Sequence, residues 1–147
     1  MAAKILKTGQ QQLLNDLLAG GTLENWSLRL FSTSHTVAVT DTLSTYTAIE
    51  ASFTGYSAKT LTRSIAGGTW GSVALTGTTL DGTNNNAIST YQTQQSWSAT
   101  SAQTVYGHFL SGVTSTVGIL AEQWTSSVAL INPSTLNLTP VLELGSG

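Results

Sequence analysis

The chain contains no cysteine. That removes disulfides, thiol nucleophiles and cysteine-ligated zinc together, and it leaves the redox compartment open. Charge is nearly as scarce: 5 Lys and Arg and 7 Asp and Glu make 8% of 147 residues, against roughly 25% in ordinary soluble domains. The formal net charge of −2 supplies no basic field for a phosphate backbone, so no nucleic-acid partner is expected. No apolar run approaches the ~20 residues of a membrane span. "MAAKILKTG" has basic residues but lacks the apolar core of a secretory signal, so no membrane partner is expected either. Ser, Thr, Asn and Gln stand where Lys, Glu and Arg are missing. Interface centres are depleted in charge, whereas free monomers rely on mixed surface charge for solubility. The composition points to a protein that works packed against others.

What the chain does have begins with one helix. In "TGQQQLLNDLLAGG", Thr8 to Gly21, Thr8 and Gln11 stand at capping-box spacing. Leu13, Leu14, Leu17 and Leu18 fall at i, i+1, i+4 and i+5 and form one apolar stripe. Gly20 and Gly21 supply a left-handed stop. A helix of about eleven residues does not hold by itself in water, so the stripe must dock. Two surfaces compete for it, the protein's own sheet and a partner subunit.

From Trp26 the apolar period changes to two. In "WSLRLFS", Trp26, Leu28 and Leu30 point one way and Ser27 and Arg29 the other. "HTVAVTD" reads as a strand with Val37 and Val39 on one face. A helical turn fits Leu43 to Ile49, and a strand fits Tyr56 to Thr62. "TWGSVALTG" and "AISTYQTQQSWSAT" read as strands separated by "TTLDGTNNN", whose Asp-Gly and Asn run are turn chemistry. "TVYGHFLSG" and "VGILAEQWTSSVALI" follow, with Tyr106, His108 and Leu110 sharing a face. "STLNLTPVLEL" closes the chain with Leu136, Leu138, Leu142 and Leu144 on one side. Pro140 lacks a ladder donor, which makes that last segment an edge strand or a bulged one. Many short strands at turn-separated spacing predict a mainly β protein, an antiparallel β-sandwich, jelly-roll-like, with one short N-terminal amphipathic helix. One domain is expected over residues 1–147, with an arm and helix at 1–22 and the sandwich at 23–147.

Catalytic patterns are missing from the sequence: there is no HExxH, GxSxG, P-loop or EF-hand spacing. His35 and His108 each read as structural or interface side chains, and no serine stands in a nucleophile-elbow context. Glu50, Asp81 and Glu122 have no spacing that favours a paired-carboxylate glycosidase. "DGTNNN" could offer oxygen ligands to calcium, but one carboxylate makes a poor site and a turn explains the run. Trp26, Trp70, Trp97 and Trp124 could form a sugar-stacking platform if exposed, although tryptophans at alternating strand positions usually pack the core. No enzyme activity, cofactor or metal is expected.

The order of short motifs carries a resemblance. "KTGQQQLLNDLLAG", "LRLF", "FTGYSAKTL", a Trp-bearing strand, "VYGHFL" and "ILAEQW" follow one another between Lys7 and Trp124. In that order the chain resembles small all-β structural proteins of tailed bacteriophages, most like head decoration (cement) proteins. Matching positions include Gly9, Gln10, Leu28, Leu30, Phe53, Gly55, Tyr56, Lys59, Gly107, Phe109, Leu120 and Glu122. His108 stands where the pattern would place another aromatic. The resemblance implies a virion component on the outer surface of the phage head. Its expected partners are the major capsid protein and other copies of itself, as a homo-oligomer, a trimer in the family pattern. The expected contact residues are Leu13, Leu14, Leu17 and Leu18 of the helix, with Leu142 and Leu144 of the C-terminal strand. A tail or head–tail connector component, or a carbohydrate-binding adhesin module, would share this composition and fold.

Overall fold

The period-two stretch around Trp26 becomes the middle of an antiparallel sheet. The structure is a computed structural model and describes residues 4–19, 23–64, 69–76 and 86–144. Its elements in chain order are β1 (Lys4–Ile5), α1 (Lys7–Ala19), β2 (Trp26–Phe31), α2 (Leu43–Thr47), β3 (Lys59–Leu61), β4 (Ala74–Thr76) and β5 (Asn86–Thr90). There follow β6 (Gln95–Ala99), β7 (Gln103–Gly112), β8 (Gly118–Leu130), β9 (Ser134–Leu138) and β10 (Val141–Leu144). Five strands pair in the order β1-β8-β7-β2-β3. Opposite them lie a three-stranded sheet, β10-β5-β4, and a two-stranded one, β6-β9. The described residues thus form a mainly β antiparallel sandwich with a short N-terminal helix.

The core fills the space between these leaves. Leu28, Leu30, Leu61 and Leu110 meet Trp70, Tyr91, Trp97 and Leu136 there. Leu28, Leu30 and Leu61 are completely buried, each contributing roughly 1.5–3 kcal/mol by leaving water. The indole of Trp97 keeps its polar edge satisfied by donating to the Ser57 carbonyl at 2.7 Å.

The large sheet is buried on its other face too. Phe31, Phe109 and Ala121 pack there with Val37, Tyr46 and Leu6. The cover is the loop from Ser32 to Glu50, which includes α2. This second layer covers the face to which Ser27 and Arg29 point. Ser27 is buried, and Arg29 reaches Glu50 Oε2 at 3.2 Å. It likewise replaces the strand expected at "HTVAVTD". Val37 is buried while Val39 is exposed, because this backbone is bound sideways rather than in a ladder. Lys4 Nζ donates to the Val37 carbonyl at 3.0 Å, and the Lys7 amide donates to the Val39 carbonyl at 2.9 Å.

Elsewhere the expected strands are shorter or broken. The segment expected at Tyr56 to Thr62 contracts to β3, and "AISTYQTQQSWSAT" divides into β5 and β6. "STLNLTPVLEL" divides at Pro140: β9 pairs with β6, while β10 pairs with β5. The missing donor is the reason, and the Pro140 carbonyl still accepts from the Tyr91 amide at 2.9 Å. Tyr106 does not share a face with His108 and Leu110. A register shift between Val105 and Gly107 reverses the alternation and sends Tyr106 to the α2 side. "DGTNNN" up to Asn85, together with Gly20 and Gly21, lies outside the described residues.

Candidate functional site

The N-terminal helix is fastened at both ends. At its start, the Leu6 amide donates to the Ile119 carbonyl of β8 at 3.0 Å, and the Leu6 side chain is fully buried. Thr8 does not act as the cap that its spacing with Gln11 suggested. The helix already begins at Lys7, and the Thr8 hydroxyl donates across to the Gly118 carbonyl at 2.7 Å. Gly9 then lies directly on the Ile119 backbone, where a Cβ would collide with its carbonyl oxygen. At the far end, Asp16 accepts from Arg63 Nη1 at 2.7 Å and from Gln12 Nε2 at 2.7 Å. Arg63 in turn lies over the Trp26 ring at 4.5 Å.

These ties decide which leucines of the stripe are used. Leu13 turns inward and packs against the core. Leu14, Leu17 and Leu18 remain 55%, 79% and 75% exposed. The stripe therefore divides between the protein's own core and solvent. Leu142 also packs against the core, and Leu144 contributes its backbone to β10 while its side chain lies outside the described residues.

Beside the helix end opens an apolar cleft of about 320 Å³. It is lined by Leu23, Trp26, Arg63, Trp70, Val73 and Leu142, with Trp26 and Trp70 edge to face at 5.7 Å. Leu23 and Val73 at its walls are substantially exposed. No sequence signal marks this cleft, because its lining comes from segments that only strand pairing brings together. Trp26, Trp70 and Trp97 are buried as rings, so they offer no exposed stacking platform; Trp124 is half-buried.

The described titratable groups lie in separate small clusters. Asp41 Oδ2 accepts from the Ala38 amide and the Tyr46 hydroxyl, and lies against His35 Nε2, each at 2.8 Å. Partial burial opposes its charge, but these three partners outweigh it and hold the carboxyl below its usual range. The cluster fixes the loop that covers the sheet, and no hydroxyl nucleophile is bonded to His35 among the described residues. Glu24 accepts from the amides and hydroxyls of Thr114 and Ser115, locking the turn between β7 and β8. Partial burial would raise its pKa, yet the hydrogen bonds from Ser115 and Thr114 win and hold it at about 2.

His108 is paired across the ladder with Glu122, and Trp124 Nε1 donates to its Nδ1 at 3.2 Å. A nitrogen that accepts from an indole carries no proton, so the imidazole is neutral. Burial pushes it down to about 4 and pushes Glu122 up. Glu50 belongs to a different group, accepting from Tyr56 at 2.7 Å. Among the described residues no three His, Asp or Glu side chains converge on a point that could hold a metal. What the described residues present is a helix tied at both ends with Leu14, Leu17 and Leu18 outward, next to an apolar cleft. No family model and no curated protein matches the chain.

Proposed function

We propose that the protein is a structural component of a tailed-bacteriophage virion, a head decoration protein that binds the outer capsid lattice and stabilises the shell. The observation that carries this reading is the outward face of α1. A short helix tied down by Leu6, Thr8 and Asp16 presents Leu14, Leu17 and Leu18 to solvent. Free in solution that display is costly, since full burial of each leucine is worth roughly 1.5–3 kcal/mol. On a lattice the same exposure becomes binding energy. Repetition over many copies then multiplies modest contacts into avidity. The scarcity of charge fits a surface that spends its working life covered, and the order of motifs resembles that family.

The test is co-sedimentation of the purified protein with decoration-free capsids, with shell melting as a second readout. Bound protein and a raised melting temperature are expected. Absence of both overturns the reading. Copy number per virion separates a head protein, present in large multiples, from a tail component present in few.

A further inference from the structure

We propose that His108, Glu122 and Trp124 form an acid-operated latch: a proton taken up between His108 and Glu122 displaces the Trp124 indole and frees the bulged segment of β8 that begins with it. The inference is independent of what the α1 leucines bind.

The latch closes an irregular stretch of the large sheet. In the β7–β8 ladder, Val105 pairs with Val128 and Gly107 with Gln123. Between those pairs, Tyr106 of β7 stands alone against Trp124, Thr125, Ser126 and Ser127 of β8. Four residues thus oppose one, an extended bulge that the ladder does not hold. Thr125, Ser126 and Ser127 are exposed. Trp124 turns inward, packs against the core and donates from Nε1 to His108 Nδ1 at 3.2 Å. That bond ties the bulge to the sheet.

The same nitrogen faces a rival. Glu122 Oε2 lies 3.9 Å from His108 Nδ1. Nδ1 has one lone pair and serves one partner. With the imidazole neutral and Glu122 charged, no proton joins the two, and the partner is the indole. A proton placed between Nδ1 and Oε2 bonds the two side chains to each other, whichever atom carries it. It uses the lone pair that the indole needs. The indole N–H is then a donor without an acceptor, a costly state that movement into water relieves. Trp124 is half-buried, so water is close. Burial pushes His108 down from 6.5 to about 4 and Glu122 up from 4.5. The two groups therefore titrate in one acid range and share their first proton.

Other charges stand away from this pair. Opposite His108 on β2 is Leu30, and Arg29, Glu50 and Tyr56 behind it are bonded to one another. Lys4 of β1 donates to the Val37 carbonyl, and Lys59 of β3 lies over Trp97. In the facing leaf β4, β5, β6 and β9 carry no charged side chain, and β10 carries Glu143.

The absence of cysteine gives a direct reporter. One nitroxide label is attached at Ser126→Cys in the bulge and, in a second protein, at Thr60→Cys, an exposed position on β3. Label mobility is followed in the full chain from neutral pH down to about 4. The Trp124 indole resonance, assigned by its loss in Trp124→Phe, is followed in parallel. The Ser126 label should mobilise and the indole resonance shift with one midpoint, while the Thr60 label stays unchanged. Glu122→Leu should lower that midpoint by about one pH unit or more, because the imidazole loses the carboxylate that helps hold the proton. His108→Asn, which accepts but does not titrate, should abolish the transition. A Ser126 label or an indole resonance that does not respond to acid overturns the proposal. So does equal mobilisation of both labels, which is unfolding, or a Glu122→Leu midpoint equal to the parent's.

Discussion

His108 shows how much one side chain can contribute to pH dependence. Its imidazole lies within the sheet, accepts from Trp124 and is pushed down to about 4 by burial. The unfolded chain takes up this proton near 6.5, while the folded chain resists it until about 4. The unfolded state therefore binds more protons across that window, and stability falls as pH drops from 6.5 towards 4. The full effect is on the order of 3 kcal/mol. Glu122, raised by burial, runs in the opposite direction and offsets part of it. Glu24 contributes next: held at about 2 against an ordinary 4.5, it adds stability above pH 4.5 that disappears as pH falls through 2. His108→Asn keeps an acceptor near the Nδ1 position but does not titrate. Thermal melts of that variant should begin lower at pH 7 and lose less between pH 6.5 and 4.5 than the parent does. A variant whose melting temperature changes with pH as the parent's does would show that His108 is not held neutral by the fold.

At the level of elements, α1 depends on a close approach. Its first turn rests on β8 at Gly9, against the Ile119 backbone, and no rotamer change can move a main-chain carbonyl aside. Gly9→Val must lift the helix or bend the strand, which costs about 1–3 kcal/mol. In a chain of this size Tm changes by roughly 2–4 °C per kcal/mol. A melt should show that loss, and a Gly9→Val protein as stable as the parent would mean that α1 does not lie on β8. The same helix shows what the sequence could and could not reveal. Its existence and its leucine stripe were legible, because the 3.6-residue period survives in any context. Its start was not, since Thr8 bonds to Gly118, a residue 110 positions away. Strands behaved alike. The ladder around Trp26 was legible in its alternation, but a period of two cannot show the second layer that covers Ser27 and Arg29. Tyr106 was misplaced by a register shift that belongs to the partner strand β8 as much as to its own. The cleft could not be read at all: Leu23, Arg63, Val73 and Leu142 become neighbours only when the strands pair.

At the scale of the whole molecule, the two leaves differ in continuity. The large sheet is one ladder of five strands, whereas the facing leaf is two separate sheets. Those two share one piece of chain. β9 and β10 are separated only by Thr139 and Pro140, and the turn is tied down by the Tyr91 amide. Nothing in two residues can act as slack. If β10 peels from β5, it drags β9 away from β6, and the reverse movement does the same. The protected amides of both small sheets, such as those paired at Ile88–Glu143 and Trp97–Leu136, should therefore exchange with solvent deuterium through a common opening. Hydrogen-exchange measurements should give β5 and β6 the same opening free energy, and two clearly different values would mean that the sheets open independently. A segment that breaks a strand locally thus couples the opening of the leaf, joining two small sheets into one cooperative unit.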